Sequence, residues 1–145
     1  MKKILLFGFM LSTVSLGYAQ EKKQLLDIAN DSNKPQFKFD TEEYNFGTIK
    51  QGEVVTHEFE FTNLGTEPIV ISEAHGSCGC TVPVYPKEPI TKNQKSIIKV
   101  TFNSAGKMGM QDKTVTITSN AVQSPMVLHI KGSVEGAPVQ TPNSK

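Results

Sequence analysis

Apolar and polar residues alternate along several short stretches in the middle of the chain. The longest of these stretches runs from residue 53 to residue 63, where one face would carry Val55, His57, Phe59 and Phe61. A period of two over this length is typical of a β-strand that buries one face and exposes the other. The pattern therefore predicts a long strand in this part of the sequence.

Similar stretches recur at intervals of about ten residues, separated by glycine, proline and asparagine, which is the spacing of a β-sandwich. They cover residues 37–40 with 44–49, 69–73, 81–85, 95–103, 113–119 and 126–134. The stretch 81–85 lies among Pro83, Pro86 and Pro89. It can be at most an edge strand, because proline cannot donate to a β-ladder. The predicted fold class is all-β, an immunoglobulin-like β-sandwich of about seven strands that occupies residues 37–134.

The two ends of the chain differ from this central part. Lys2 and Lys3 precede an apolar stretch, and Gly17-Tyr18-Ala19 offers a small-residue cleavage site, as in a secretory signal peptide. We expect residues 1–19 to be removed on export to the periplasm or the exterior of a Gram-negative bacterium. Residues 20–36 and 135–145 are polar or rich in proline, so we expect a mobile N-terminal segment and a disordered tail there.

The charge balance argues against a polyanionic partner. Loss of Lys2 and Lys3 reduces the 15 basic residues to 13, against 14 acidic residues. Every basic residue is a lysine, and arginine, which grips phosphate with two parallel hydrogen bonds, is absent. We therefore expect no nucleic-acid partner. We also expect no transmembrane segment in the mature chain, because a bilayer core of about 30 Å needs a longer apolar run.

The sequence lacks the motifs of the common enzyme classes. It contains no Ser-His-Asp spacing, zinc-protease helix motif, pair of catalytic carboxylates or glycine-rich phosphate loop. We expect His57 to be partly buried or at an edge and His129 to face solvent. The expected protein is not an enzyme, and the one exception left open is a thiol-redox role.

That exception rests on the only two cysteines, in the run His75-Gly76-Ser77-Cys78-Gly79-Cys80-Thr81. In an extended strand the Cα atoms of residues i and i+2 lie about 6.5 Å apart, near the outer limit for a disulfide. A bridge between Cys78 and Cys80 therefore needs a bend, which Gly79 would allow. The loop that it closes is worth only about 1.6 kcal/mol by the chain-entropy relation, and strain would offset this gain. We expect a reducible disulfide rather than a structural one.

The same run offers ligands for a metal ion. Two thiolates with a nearby imidazole form a soft donor set that suits Cu(I) or Zn(II). If the strands run up and down in sequence, the 75–80 turn and the 103–112 loop lie at the same end of the sandwich. The second loop carries two methionines, whose thioethers are good Cu(I) ligands. The candidate metal set is therefore His75, Cys78, Cys80, Met108 and Met110.

Plainer interpretations remain beside these. In an exported protein the two cysteines can be oxidised and inert, or they can belong to a surface that docks a partner. The two methionines can be ordinary turn or core residues. The cysteine pair is thus a candidate redox site, metal site or inert disulfide, and no cofactor is required.

Three segments of the sequence resemble a known bacterial family. They are residues 59–69, the run Ser77-Cys78-Gly79-Cys80-Thr81 and residues 98–102. In this combination the chain resembles DUF1573, a family of unknown function in exported bacterial proteins, from about Phe39 to Val134. The resemblance implies the immunoglobulin-like fold of major sperm protein and of ciliary and centrosomal domains, which act as binding modules. It implies no activity.

We therefore expect an exported, non-enzymatic binding or structural module. Its partner would be another exported protein or a cell-surface component, bound through a sheet edge or the end loops. The alternative is a periplasmic thiol-redox or Cu(I)-handling protein that uses the Cys-Gly-Cys turn.

Overall fold

The computed structural model describes residues 33–136, and within that range the chain forms eight β-strands and no helix. The predicted signal peptide and most of both predicted terminal segments lie outside the described residues. The strands are β1 (Phe37–Phe39), β2 (Glu43–Lys50), β3 (Val54–Asn63), β4 (Ile71–Gly76), β5 (Thr81–Val84), β6 (Lys95–Asn103), β7 (Gly109–Ser119) and β8 (Met126–Glu135).

The strands form two sheets that pack face to face. The β1 sheet has the order β1-β3-β6-β5, and the β2 sheet has the order β2-β8-β7-β4. Neighbouring strands pair antiparallel, apart from β2 and β8, which pair parallel. Two sheets of this kind make an immunoglobulin-like sandwich. The predicted all-β class is confirmed, as is the predicted edge position of the proline-containing strand β5.

The core lies between the sheets and is made by the apolar positions of the alternating pattern. Along β3, burial alternates with exposure, so that Phe59 and Phe61 are fully buried while Glu58 is exposed. Removal of these side chains from water is the main force that holds the sheets together. The largest fully buried side chains that are apolar are Phe59, Phe61, Ile69, Ile90, Ile98, Val100, Phe102, Val115, Ile117, Leu128 and Ile130.

The domain has eight strands rather than seven because the first predicted stretch divides between the sheets. β1 pairs with β3, whereas β2 pairs with β8 in the opposite sheet. Phe37 packs edge-on against Phe61 at a ring distance of 5.1 Å. Phe46 of β2 stacks at 5.6 Å on Phe102, which belongs to the other sheet. The chain changes sheets between the two strands, and each strand places an aromatic ring in the core.

The folded domain extends slightly beyond the predicted boundaries. The carbonyl of Pro35 accepts a hydrogen bond from the N–H of Val122 at 3.0 Å, and that of Gln36 accepts one from Leu64 at 2.9 Å. Glu135 is the last residue of β8. Backbone hydrogen bonds to distant residues thus hold these flanking positions against the domain.

The turn between β4 and β5 and the loop between β6 and β7 lie at the same end of the sandwich. The N–H of Asn103, the last residue of β6, donates to the carbonyl of Cys80 at 2.9 Å. The predicted proximity of the two connections is therefore right. The predicted loop of residues 103–112 is wrong, however, because β7 already begins at Gly109. We call this end of the molecule the cysteine end.

Candidate functional site

Cys78 and Cys80 are joined by a disulfide at the tip of the turn between β4 and β5. Their Cα atoms lie 5.2 Å apart, closer than in an extended strand, so the backbone bends between them. The N–H of Thr81 donates to the carbonyl of Cys78 at 3.1 Å, which closes a β-turn over residues 78–81. The expected bend between the two cysteines is therefore present, and it brings them close enough for the disulfide.

The two glycines of this run have different roles. A Cβ atom at Gly76 would overlap the carbonyl oxygen of Thr81, whereas a Cβ atom at Gly79 would meet nothing within 4 Å. Gly79 also has no positive φ. The bend at Gly79 is therefore present, and it does not require glycine at this position. Glycine is required at position 76, where β4 passes close to the start of β5.

A buried hydroxyl lies next to the disulfide. Thr81 is only 3% exposed, and its Oγ1 lies 3.7 Å from the sulfur of Cys78 and 3.8 Å from that of Cys80. Because neither sulfur of a disulfide carries a hydrogen, the hydroxyl is the only donor available, and its single hydrogen can point to either sulfur. The threonine that follows the cysteine pair is thus part of the site.

The structure does not bring His75 to the sulfur atoms. In β4, Ala74 packs against the core and the next side chain, His75, is exposed. The Nδ1 atom of His75 lies 3.7 Å from Oε1 of Glu73. Cys80, in contrast, packs against the core. His75 and Cys80 therefore point in different directions from the turn.

The two methionines are also separate from the disulfide in their surroundings. Met108 and Met110 are 67% and 81% exposed, respectively. Met108 lies beside Gly136, just after β8, and Met110 is on the outer face of β7. Over residues 33–136 no group of three or more His, Cys, Asp and Glu side chains is placed to hold a metal ion. The proposed set of five metal ligands stays a prediction. Of its members, Cys78 and Cys80 are bonded to each other in the structure.

The cysteine end has a second feature that the sequence did not reveal. β4 ends at Gly76, and the N–H of the next residue, Ser77, donates to the carbonyl of Thr114 at 2.8 Å. The chain then turns away into the disulfide and β5. β7, however, begins five residues earlier than this contact, at Gly109. Within the described range 33–136, residues 109–113 therefore have a neighbouring strand, β8, on one side only.

The register identifies the backbone groups that face the vacant side. Along an antiparallel strand, successive residues direct their N–H and C=O groups to opposite neighbours. Since Thr114 bonds to Ser77 on the β4 side, Met110 and Asp112 face that same side. We call this side of residues 109–113 the open β7 edge.

A separate hydrogen bond gives the same assignment. His129 is the β8 residue opposite Thr114, and its N–H donates to the carbonyl of Glu42 at 2.8 Å, toward β2. His129 and Thr114 are therefore a pair that is not hydrogen-bonded to each other. Two residues along, the same holds for Asp112, whose backbone groups point away from β8.

The outer edges of the β1 sheet are obstructed. β5 contains Pro83, which has no N–H to offer to an added strand. On β1, the side-chain amide of Gln123 donates to the carbonyl of Phe37 at 3.0 Å and accepts from its N–H at 3.1 Å. One amide group thus occupies the place of a further strand.

The outer edges of the β2 sheet are interrupted by irregularities. β2 has a shift in register between Asn45 and Thr48, and β4 has one between Ile71 and Glu73. Within β4, the carbonyl of Ser72 also accepts a hydrogen bond of 3.4 Å from the hydroxyl of Tyr85. Such bulges and covers are the usual protection of edge strands against pairing.

The histidines within the strands have structural surroundings. His57 is partly buried, stacks on Tyr44 at 3.9 Å and meets the ring of Phe59 edge-on at 4.6 Å. Its Nε2 atom is buried without a hydrogen-bond partner among the described residues. Burial lowers the pKa of His57 below its ordinary value, and the nearby carboxylate of Glu58 acts in the opposite direction. The predicted partial burial of His57 is confirmed.

His129 is only partly exposed. Its Nδ1 lies 2.8 Å from Oδ1 of Asp112 on the outer face of the β2 sheet.

Among residues 33–136 no helix has the length and apolar character of a membrane span.

Solved structures at low sequence identity share this fold. A protein of unknown function from Porphyromonas gingivalis W83 has a TM-score of 0.61 at 14% identity, covering 71% of this chain and 48% of that one. The chain thus spans about half the length of that protein. The PapD-like domain 7 of human CEP192 has a TM-score of 0.54 at 13% identity, covering 94% and 98%. No curated protein matches the chain in sequence.

The family described as "Protein of unknown function (DUF1573)" matches residues 37–134. This range contains all eight strands except the last residue of β8, together with the Cys-Gly-Cys turn and Thr81. The chain belongs to the DUF1573 family.

Proposed function

We propose that this protein is an exported, non-enzymatic binding module that takes up an extended segment of another exported protein at the open β7 edge. The observation that carries the proposal is the length of β7, which continues past the end of β4. A peptide laid beside residues 109–113 would prolong β4 and pair antiparallel with β7. This is recognition by strand addition. Export is inferred from the predicted signal peptide.

The position of the vacancy favours a bound peptide over nonspecific association. The other edges of both sheets carry a proline, a side-chain cover or a bulge, so the molecule offers few places for a strand to add. At the open β7 edge, the N–H and C=O groups of Met110 and Asp112 provide up to four hydrogen bonds by the register. The disulfide turn limits the segment that can pair here to about five residues, or roughly 17 Å of extended chain.

The side chains beside the edge indicate the preferred peptide. Met110 and Asp112 both lie on the outer face of β7, and Met110 is largely exposed. Residues directly opposite each other in a ladder share a face and contact each other. The carboxylate of Asp112 contacts His129 through Oδ1, and its Oδ2 lies 3.9 Å from Nζ of Lys131. Oδ2 thus has no partner within hydrogen-bond distance among the described residues and favours a basic residue opposite, whereas the thioether of Met110 favours an apolar one. Because the peptide runs antiparallel to β7, its sequence would be basic, any residue, apolar.

The first test uses displayed peptides and amide exchange. A library of random octapeptides is selected on the purified protein, and the enriched peptides are synthesised. We expect the basic-any-apolar pattern among them, and slower hydrogen exchange at the amides of Met110 and Asp112 when they bind. Without peptide these two amides should exchange faster than those of Gln111 and Lys113, which bond to β8.

The second test removes one donor from the edge. Asp112→Pro deletes an N–H that makes no bond to β8, and Asp112→Ala is its control, because it removes the same carboxylate and keeps the N–H. We expect the selected peptides to bind Asp112→Pro about 3- to 10-fold more weakly than Asp112→Ala, the worth of one hydrogen bond. A second proline variant, Gln111→Pro, should instead destabilise the fold, because it removes a bond to β8.

Three results would contradict the proposal. One is equal binding of the peptides to the proline and alanine variants. Another is exchange protection at a different surface. The third is protection of Met110 and Asp112 in the protein alone, which would mean that another part of the chain, such as residues 137–145, already occupies the edge.

A further inference from the structure

The disulfide is not needed to hold the turn in which it lies. On one side the N–H of Ser77 donates to Thr114, and on the other the N–H of Asn103 donates to Cys80, at 2.8 and 2.9 Å. Between them the Thr81 N–H bonds to Cys78 at 3.1 Å. The backbone on both sides of a three-residue ring is thus tied to β7 and β6 by ordinary hydrogen bonds. None of these hydrogen bonds involves a sulfur atom, so opening of the S–S bond removes none of them directly.

The two sulfur atoms have different surroundings. Cys80 packs against the hydrophobic core, and its carbonyl is held by β6. Cys78 is partly exposed and does not belong to the set of side chains that pack on the core. Between them Gly79 is exposed, and the space where its side chain would lie is empty to at least 4 Å. No residue other than the two cysteines covers the bridge on the side of Gly79. Both cysteines are partly exposed, and only Cys80 packs on the core, so Cys78 is the sulfur with fewer apolar neighbours.

The hydroxyl of Thr81 lies where it can stabilise a leaving thiolate. It is within 3.8 Å of both sulfurs and is almost completely buried. A hydroxyl that donates to a thiolate favours the charged form and lowers the pKa of the thiol. A thiolate of lower pKa leaves more readily in thiol–disulfide exchange.

We propose that the Cys78–Cys80 bridge is a redox-active disulfide that exchanges with dithiols. A thiolate of the dithiol attacks the sulfur of Cys78, a mixed disulfide forms, and Cys80 leaves as a thiolate next to Thr81. The second thiol of the dithiol then attacks the mixed disulfide and releases Cys78. The dithiol is oxidised to a disulfide, the bridge is reduced by two electrons, and the two thiol protons end on Cys78 and Cys80. Exchange does not depend on a peptide at the open β7 edge.

A redox titration of the purified protein tests the proposal. The protein is equilibrated in buffers of reduced and oxidised glutathione, and its free thiols are counted after acid quenching and alkylation. We expect the bridge to pass from oxidised to reduced within the range of these buffers, which leave structural disulfides intact. A bridge that stays oxidised in every buffer would overturn the proposal. Amide exchange of the reduced protein should show the fold unchanged, and unfolding on reduction would equally overturn it.

Single-cysteine variants test the order of the two sulfurs. In Cys80→Ser only Cys78 is left to react with oxidised glutathione, and in Cys78→Ser only Cys80. We expect the Cys80→Ser protein to form its mixed disulfide several-fold faster. Equal rates, or a faster reaction of Cys80, which packs on the core, would contradict the assignment of Cys78 as the attacked atom.

The hydroxyl of Thr81 is tested by an isosteric pair. Thr81→Val keeps the shape and removes the donor, and Thr81→Ser keeps the donor. We expect reduction of the Thr81→Val protein by dithiothreitol to be about 3- to 10-fold slower than that of Thr81→Ser, the worth of one hydrogen bond. The Cys80 thiol of the Cys78→Ser protein should also titrate at higher pH once the hydroxyl is gone. Equal rates and pKa values in the two threonine variants would remove Thr81 from the mechanism.

Discussion

The two ends of the sandwich are closed in different ways. At the end opposite the cysteines, Asn63 is fully buried and closes β3. Its side-chain NH₂ donates to the carbonyls of Glu67 and Ile90 at 2.7 and 2.9 Å, and its Oδ1 accepts from the N–H groups of Gly65 and Gln36 at 2.9 and 3.3 Å. The buried side chain of Asn63 thus bonds to four backbone groups, and both its oxygen and its nitrogen have partners.

At the cysteine end the turn between β4 and β5 contains the Cys78–Cys80 disulfide. Backbone hydrogen bonds to β6 and β7 also hold this turn. Here β7 continues without a neighbour on one side, and Met108 and Met110 are exposed. A buried polar network is costly to disturb, because each lost partner leaves a group without water or protein to bond to. The Asn63 end is thus held by one buried amide with four bonds. The cysteine end is held by the buried hydroxyl of Ser104, which bonds to Gly52 and Glu53, and it also carries the disulfide and the open β7 edge on which both proposals rest.

The largest expected effect is at Asn63. Asn63→Ala removes four hydrogen bonds and leaves three backbone groups without a partner, since the carbonyl of Ile90 keeps its bond from the N–H of Ile69. We therefore expect a loss of about 3 kcal/mol in the free energy of unfolding. The control is Asn103→Ala. Asn103 is also the last residue of a strand, but it is exposed, and its side chain makes one hydrogen bond, from the N–H of Ala105 at 2.9 Å. Its cost should stay below about 1 kcal/mol in urea denaturation. Equal losses would erase the contrast between the ends.

The next effect distinguishes the two glycines of the cysteine end. Gly76→Ala forces β4 away from the carbonyl of Thr81, and overpacking of this kind costs about 1–3 kcal/mol. Gly79→Ala meets open space and should change stability by less than about 0.5 kcal/mol. The two midpoints of unfolding in urea measure the difference. A large loss at Gly79 would mean that the turn needs this glycine after all.

A smaller effect is expected when the disulfide itself is removed. Replacement of both Cys78 and Cys80 by serine should cost no more than about 1.6 kcal/mol, the limit set by the entropy of a three-residue ring. The measurement is equilibrium unfolding of the oxidised protein and the double variant under the same conditions. A substantially larger loss would show that the bridge is a structural support of the cysteine end.

The smallest effect concerns His57, which lies between the two ends. Burial lowers its pKa in the folded protein, so the unfolded chain binds more protons and stability must fall as the pH is lowered. The loss begins near the unfolded pKa of about 6.5 and ends at the folded value, with a slope of at most about 1.4 kcal/mol per pH unit for one proton.

The matched variant for this effect is His57→Phe, which keeps a ring against Tyr44 and has no proton to bind. His75 and His129 are present in both proteins, so the difference between the two stability curves isolates His57. Unfolding in urea between pH 5 and 8 gives these curves. Parallel curves would contradict the assigned direction of the pKa shift.

Much of the fold could be predicted from local patterns. The alternation in β3 identified its buried face, and Pro83 marked β5 as an edge strand. The division of the first stretch between two sheets was not predictable in this way, because Phe37 and Phe46 are both apolar and differ only in the sheet to which they belong. The start of β7 was missed since Met110 and Asp112 face solvent, and so lack the burial signal on which periodicity depends.

The all-β class, the family and the cysteine pair within one turn follow from residue types and from their spacing along the chain. The need for glycine at 76 rather than 79, the position of Thr81 against both sulfurs and the open β7 edge come from the folded structure alone. These features depend on contacts and register between distant segments, which no local pattern encodes. At the cysteine end, the way β4 passes the start of β5 sets both the surroundings of the disulfide and the vacancy beside β7.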